Sequence, residues 1–459
     1  QVIVNKNKLS KVGNKHLLNI CDKLIEKLES ISNNHDCEKY NTSIETSIKE
    51  LRKIIFYRRY EGYYLSYEGR LKLKISACLE KIYMLLNRFE DIENKKEFIT
   101  AFRLELENVK QFIKKESLNT NSLHTIHDLA TKTNSVYINE IFNSFELLYD
   151  LLQELYVSNQ KELNKIEKFV DIPVNFKSSY NHFINFNRNS VRFTYAMRLG
   201  ITITIAAFIS AFFELEQGRW ILFTIFSVTQ PYLEQAKYRF SERIIGTLIG
   251  AVIFAILFSI FTNTTSRSLI ILLFGYLNSY AVQYRNIIIT ATVCALGAAS
   301  LISDPSIVTM ERIIYVLVGI IIGMIANSLI FPYGIQKGTS NLVQMYKDTS
   351  KMLMEEVYKY FENRANSHSI NNLFAITSFI EDRIILNNET MEVKHSLQYL
   401  EKQRKLNNGI YELFLRIQRH KIDNETAKLI IEDIDLIMKS SAKEFGQVIK
   451  KLRKESNNV

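Results

Sequence analysis

GRWILFTIFSVTQPYLEQAKYRFSERIIGTLIG, residues Gly218 to Gly250, changes character twice. No charged residue lies between Trp220 and Leu233, a basic polar segment follows Pro231, and a second apolar run comes next. This pattern fits a buried helix of a soluble enzyme, but it also fits two membrane spans joined by a short turn. The neighbouring sequence distinguishes these two interpretations.

The stretch lies in an apolar block of an otherwise polar chain. From Leu199 to Gln336 there are 7 Lys or Arg and 6 Asp or Glu, whereas the whole 459-residue chain has 58 and 48. The uncharged runs Ile244–Ser266 and Ile313–Gln336 are long enough to cross ~30 Å of hydrocarbon at ~1.5 Å per residue. We predict six spans, at about residues 192–213, 219–233, 243–264, 268–284, 286–303 and 311–332.

Polar segments with helical periodicity flank this block on both sides. The predicted fold is therefore all-α: a polytopic membrane protein whose six-helix transmembrane bundle has cytoplasmic helical bundles before and after it. The predicted domains are residues 1–185 (cytoplasmic helices), 186–336 (transmembrane) and 337–459 (cytoplasmic helices). Most of the net charge of +10 lies in the flanks, and the positive-inside bias places both of them in the cytoplasm. The Lys residues are spread along helical faces, which argues against nucleic-acid binding.

No enzyme motif is present. The chain has no P-loop, no dinucleotide-binding loop after a strand, no nucleophile elbow and no zinc-protease motif, so we expect no enzyme activity, no ATPase of its own and no cofactor. His124 and His127 have a spacing that suits metal ligands, but no convincing further ligands accompany them. We therefore predict no metal site.

Basic and polar residues at one level of the predicted spans suggest a path for an anion. Arginine matches a carboxylate with two parallel donors, although positive residues at a membrane boundary also serve simply as anchors. Pro231 interrupts the second span, and a broken helix at membrane depth must be buried in protein or line a wet cavity. We expect Arg198 to extend toward the headgroups. The predicted substrate path comprises Arg198, Gln230, Pro231, Arg239, Arg243, Asn278 and Arg285.

Small residues one turn apart predict tight packing of the spans. Gly246 and Gly250 lie on one stripe of the third span, and Gly319 and Gly323 lie on one stripe of the sixth. Little hydrophobic force drives helices together in lipid, so close backbone approach becomes important for association.

The order of these residues resembles a known family. Gly-x-Trp, an apolar run, Gln-Pro, a basic segment and then Glu-Arg-x-x-Gly-Thr-x-x-Gly are similar to the fusaric acid resistance protein-like membrane domain, which is grouped with aromatic acid exporters. The family motif falls here on Trp220, Pro231, Arg243, Gly246, Thr247 and Gly250.

The resemblance implies a multi-pass transporter of the cytoplasmic (inner) membrane, often for aromatic carboxylic acids. Bacterial members often have two six-span blocks, so this chain, which starts at Gln1, looks like the C-terminal half of such a protein. A missing N-terminal half or a homodimer partner would then supply the second block. The plant aluminium-activated malate transporters are distantly similar and act as anion channels.

The sequence therefore predicts efflux of an organic anion without direct use of ATP, with the lipid bilayer and that anion as partners; aromatic carboxylic acids are the class that the resemblance implies. A passive anion channel is one alternative. The other is a membrane scaffold that transports nothing and whose helical bundles bind a partner.

Overall fold

The computed structural model describes residues 8–32, 38–87, 95–114, 128, 136–158, 160–166, 172–173, 176, 188–215, 217–301, 304–390 and 396–438. Within these ranges the chain is helical, apart from turns and two isolated β-bridges, as the all-α prediction requires. It divides into two compact units. We call residues 1–180 with 340–459 the polar unit, and residues 181–339 the apolar unit.

The polar unit is built from amphipathic helices. They are α1 (Lys8–Ser32), α2 (Glu38–Tyr57), α3 (Tyr67–Leu86), α4 (Lys95–Lys114), α5 (Val136–Val157), α6 (Gln160–Leu163), α13 (Ile335–Phe361, whose first residues belong to the apolar unit), α14 (Ser367–Thr390) and α15 (Ser396–Gln418). Residues 424–438 are also helical.

Helix α3 occupies the centre of the polar unit. It packs against α1, α2, α5, α14 and α15, and nearly all of its residues are buried. Buried polar groups on it are paired: Lys72 Nζ lies 2.8 Å from Glu68 Oε1, and Lys74 Nζ donates to Gln418 Oε1 at 2.6 Å. Burial without such partners would cost several kcal/mol per charge, on the order given for buried ions.

The N-terminal and C-terminal segments share the core of the polar unit. Arg404 of α15 donates to Glu45 of α2 at 2.8 Å, and Arg52 of α2 donates to Ser378 of α14 at 2.8 Å. The two flanking segments, distant in sequence, thus fold as one body. The proposed boundaries at 185 and 336, and the cytoplasmic location of both flanks, remain predictions.

The apolar unit contains six described helices. They are α7 (Val191–Phe212), α8 (Arg219–Val228), α9 (Leu233–Ile260), α10 (Thr264–Asn278), α11 (Tyr284–Ala299) and α12 (Pro305–Leu329). Among them α7, α9 and α12 are long and apolar enough to cross a membrane, and α8 and α11 are shorter apolar helices of 10 and 16 residues. Six complete spans therefore remain a prediction.

The helix boundaries differ from the predicted spans around Pro231. Helix α8 ends at Val228, and Thr229 and Tyr232 are extended. Proline lacks an N–H and disfavours helical geometry in the residue before it, which ends α8 early. The basic segment that follows is not a connecting turn, because α9 begins at Leu233, about ten residues before the predicted start of that span.

The surface of the apolar unit is rich in large apolar side chains. Phe212, Ile260, Leu272 and Leu329 are between 66 % and 75 % exposed, and many similar residues surround them. A soluble domain rarely exposes contiguous apolar area on this scale, because water disfavours it. This surface suits hydrocarbon.

Candidate functional site

Arg198 of α7 is fully buried and joins two helix ends. Its Nη1 donates to the Gln230 carbonyl at 2.8 Å and to Asn327 Oδ1 at 3.0 Å. Its Nε donates to the Ile330 carbonyl at 3.0 Å, and its Nη2 donates to the Phe331 carbonyl. These carbonyls lie where α8 and α12 stop before a proline. The expectation that Arg198 extends toward the headgroups is wrong, since carbonyls left without partners by the two breaks bind it inside.

The break at Pro231 is therefore filled by protein. Gln230 directs its side-chain amide to the Ser227 and Thr229 carbonyls at 3.3 and 3.0 Å, within its own helix end. Arg198, Gln230 and Pro231 thus form a structural joint in this conformation, and no open route passes through it among the described residues.

Three other residues of the predicted path have partners elsewhere in the unit. Arg285 forms a two-point ion pair with Glu242 at 2.8 and 2.7 Å, which neutralises its charge. The Arg239 guanidinium lies 4.2 Å from the centre of the Tyr284 ring. Asn278 accepts a hydrogen bond from Thr290 at 2.7 Å, and so joins α10 to α11.

Arg243 differs from these residues. Its side chain is 6 % exposed, and its Nη2 donates a long hydrogen bond of 3.4 Å to Thr224 Oγ1 on α8. Tyr284 also interacts with this side chain. The Nε of Arg243 has no hydrogen-bond partner, and no described carboxylate forms an ion pair with it. A buried guanidinium ordinarily has several acceptors, so Arg243 has unused binding capacity.

Arg312 of α12 has the same properties, and the sequence analysis missed it. It is 2 % exposed, its Nη2 donates to Thr292 of α11 at 3.3 Å, and its Nε and Nη1 have no partner. Its guanidinium also lies 4.0 Å from the centre of the Trp220 ring. The sequence analysis did not single out Arg312, and it used Trp220 only as part of the family motif. The available signal was the tetrapeptide Glu-Arg-Ile-Ile, which contains both arginines.

Glycines bring the helices around these arginines into contact. A Cβ added at Gly250 would lie 2.8 Å from Thr292 Cβ, and one at Gly319 would lie 2.8 Å from Thr224 Cβ. Gly246 and Gly323 approach Ile288 and Val228 in the same way, both at 2.9 Å. The two threonines that bind the arginines are therefore held by glycines of the facing helices.

Comparison with known proteins agrees with this architecture. Residues 205–326 match the family described as fusaric acid resistance protein-like. Most of the apolar unit is therefore similar to this family. This match confirms the resemblance found in the sequence, and it contains both Arg243 and Arg312 but not Arg198.

Two relatives show how much of the family protein is shared. A 151-residue segment is 29 % identical to the inner membrane protein YccS of Escherichia coli, covering 32 % of this chain and 21 % of that protein. A 66-residue segment is 39 % identical to an uncharacterized protein of Haemophilus influenzae, covering 14 % of this chain and 9 % of that protein. The matches thus span less than a quarter of either relative. No solved structure matches.

Metal chemistry has no support in the described ranges, where no three His, Cys, Asp or Glu side chains cluster in a way that could hold an ion. His124 and His127 lie outside the described residues. The candidate functional site of this fusaric acid resistance-like domain is therefore the interior around Arg243 and Arg312, which we call the arginine site. It comprises Arg243, Arg312, Thr224, Thr292 and Trp220.

Proposed function

We propose that the apolar unit transports an organic anion across the cytoplasmic membrane and that the arginine site binds this anion. One observation carries the proposal: two buried guanidinium groups lie among apolar helices with unused N–H donors, and no described carboxylate forms an ion pair with either of them. Removing a cation from water costs several kcal/mol unless an opposite charge compensates it. Charged residues inside membrane segments accordingly mark substrate pathways as a rule.

The surroundings of the two arginines support the proposal. Arg243 is ten residues inside α9 and Arg312 is seven residues inside α12, which is ~15 Å and ~10 Å from the helix starts at ~1.5 Å per residue. Both lie at the beginning of predicted spans, so their burial and their free N–H groups, rather than depth in the membrane, distinguish them from anchoring residues. A carboxylate beside them would accept the free N–H groups and compensate the charge.

A cleft lies one turn from Arg312, but no residue of the arginine site lines it. It measures about 390 Å³ and opens between the end of α9 and the beginning of α12. Ser259, Ser306 and Thr309 contribute polar groups to its wall, and Thr309 lies one turn before Arg312 on the same helix.

The remaining features of the proposal rest on similarity to this family. We infer export rather than import, no ATPase in this chain, and six spans with both flanks in the cytoplasm. The second six-span block would come from an N-terminal half or from a homodimer partner. The Escherichia coli relative is by name an inner membrane protein, which agrees with this location.

Flux measurements test the proposal. The full chain is reconstituted into liposomes, and uptake of radiolabelled benzoate and succinate is followed for the wild type, Arg243→Gln, Arg312→Gln and the control Arg219→Gln. Arg219 is exposed and bonds only Gln217 among the described residues, so its variant removes one charge from the same unit outside the site. We expect each site variant to lose flux at least about tenfold, since a lost charge-assisted hydrogen bond costs about 1.5–3 kcal/mol.

Unchanged flux in correctly inserted site variants would contradict the proposal. If the wild type transports neither benzoate nor succinate, the scaffold alternative is favoured instead. A flux that follows only the membrane potential and the anion gradient, with no dependence on a proton gradient, would identify a passive channel using the same site.

A further inference from the structure

The two arginines occupy equivalent positions in an internal repeat. Glu242-Arg243-Ile244-Ile245 of α9 recurs as Glu311-Arg312-Ile313-Ile314 of α12, and a glycine follows each arginine after seven residues, at Gly250 and Gly319. The hydroxyl partner of each arginine precedes it by nearly the same distance, 19 residues for Thr224 and 20 for Thr292. Three helices therefore correspond to three: α7, α8 and α9 to α10, α11 and α12.

Packing distances repeat between the two halves. A Cβ at Gly250 would lie 2.8 Å from Thr292 Cβ and 2.9 Å from the Ile289 carbonyl oxygen. A Cβ at Gly319 would lie 2.8 Å from Thr224 Cβ and 3.0 Å from the Ile221 carbonyl oxygen. In each half, the glycine after the arginine thus contacts the threonine that binds the other arginine. Such reciprocal contacts are what a two-fold relation produces.

The direction of the helices shows that the relation is inverted. Gly246 and Gly250 of α9 pair with Ile288 and Thr292 of α11 in ascending order, so α9 and α11 are parallel. Gly319 and Gly323 pair in ascending order with Thr224 and Val228, so α12 is parallel to α8.

Between the two halves the order reverses. Phe240 of α9 packs with Ile320 of α12, whereas Phe258, near the end of α9, packs with Val308, near the start of α12. Helices α9 and α12 are therefore antiparallel, and the axis that relates the halves lies across the helices. This is the geometry of inverted-repeat transporters, whose substrates bind at the interface between the repeats.

We propose that the arginine site is one binding site made of two equivalent halves and that it holds a single organic dianion, a dicarboxylate, between Arg243 and Arg312. This inference rests on the proposed function and names its substrate class. Arg312 lies against Trp220, and Arg243 bonds Thr224 one turn farther along α8, so both guanidinium groups face the same helix. No described carboxylate forms an ion pair with either one. Two uncompensated positive charges in a low-dielectric interior favour a ligand with two negative charges, because a monoanion leaves one buried cation unpaired.

Each half supplies the same type of donors to one carboxylate. Arg243 has a free Nε, and Arg312 has a free Nε and Nη1. The halves differ at Trp220, whose Nε1 has no partner and whose ring lies 4.0 Å from the Arg312 guanidinium. This is the only tryptophan of the chain, so its fluorescence reports directly on the site.

The experiment measures binding through that fluorescence. Purified full-length protein in detergent is titrated with succinate and with butyrate, which have equal carbon number and do not absorb at tryptophan wavelengths. We expect succinate to bind at least about tenfold more tightly, the ratio that one additional charge-assisted hydrogen bond provides. Arg243→Gln and Arg312→Gln should each bring the two affinities to within about threefold, whereas Arg219→Gln keeps the preference.

Equal affinities in the wild type, or a preference that survives either glutamine variant, would overturn the inference. If a glutamine variant does not fold, Arg243→Lys and Arg312→Lys are titrated in its place. Lysine keeps the charge but loses the forked donors, so succinate should bind more weakly and still better than butyrate. An unchanged succinate affinity in both lysine variants would contradict the site.

The binding experiment and the flux experiment can fail independently of each other. A wild type that transports benzoate but does not prefer succinate retains the proposed function and loses the dianion. A wild type that binds succinate selectively but moves neither anion retains the site and loses the transport function.

Discussion

The glycine contacts around the arginine site make a quantitative prediction. Gly319→Ala adds a Cβ 2.8 Å from Thr224 Cβ and 3.0 Å from the Ile221 carbonyl oxygen, well inside the ~3.5–4.0 Å at which carbon atoms pack favourably. Both obstacles are close to or part of the backbone of α8, so the clash cannot be relieved by rotating a flexible side chain. Helices α8 and α12 must separate by several tenths of an ångström or more, and overpacking of this kind costs about 1–3 kcal/mol.

The matched control is Gly275→Ala in α10. The nearest atom to a Cβ there is Cys294 Sγ at 3.9 Å, an ordinary contact. Alanine favours the helical state by ~0.8–1.0 kcal/mol over glycine, so this variant should be neutral or slightly more stable. Since both variants gain that propensity, their free energies of unfolding should differ by about the overpacking cost, ~1–3 kcal/mol.

The free energies of unfolding of the two variants are measured side by side by adding increasing amounts of a denaturing detergent to the detergent-solubilised chain. Gly250→Ala, the repeat counterpart of Gly319→Ala, should lose a similar amount, since its Cβ would lie 2.8 Å from Thr292 Cβ. If Gly319→Ala unfolds at the same point as Gly275→Ala, then α8 and α12 are not in close contact and the packing argument fails.

Two further predictions concern buried charges. Arg198→Gln should lower the free energy of unfolding by roughly 3 kcal/mol or more, since it leaves up to three backbone carbonyls unpaired at ~1–3 kcal/mol each; a melting point within a degree of the wild type would contradict this. Arg404→Gln should destabilise the chain by ~3–5 kcal/mol at neutral pH, because it strands the buried Glu381 that Arg404 binds at 2.7 Å. Burial already raises the pKa of Glu381, with Arg404 opposing the rise. A raised carboxyl pKa gives stability that is lost as pH increases, so the defect should shrink toward pH 5, and melting curves at pH 5 and pH 7.5 with an equal defect would refute this.

The sequence was informative where the argument depended on composition and order. The uncharged runs identified the apolar block, because a charged side chain in hydrocarbon is so costly that membrane-spanning segments contain few of them. The motif from Trp220 to Gly250 led to the same family that residues 205–326 match, and the spacing of Gly319 and Gly323 indicated a packing stripe. Each of these signals is local, so a single sequence carries it.

The candidate site was less accessible to such reasoning. Arg198, Arg285 and Arg243 look alike in sequence, but the first binds backbone carbonyls, the second pairs with Glu242, and only the third has free donors. Partners of this kind lie 19 to 133 residues away in sequence, and helical periodicity contains no information about them. Arg312 was missed for the same reason, although the repeated Glu-Arg-Ile-Ile indicated its equivalence to Arg243.

By itself, then, the sequence determined that the chain is helical, that its central block suits a membrane and that this block resembles the fusaric acid resistance-like family, because hydrophobic length and motif order are properties of the chain. The tertiary structure alone decided which arginines are compensated and which are not. Charge compensation depends on distances between side chains and backbone groups of different helices, such as those from Arg198 to the ends of α8 and α12 and from Arg285 of α11 to Glu242 of α9.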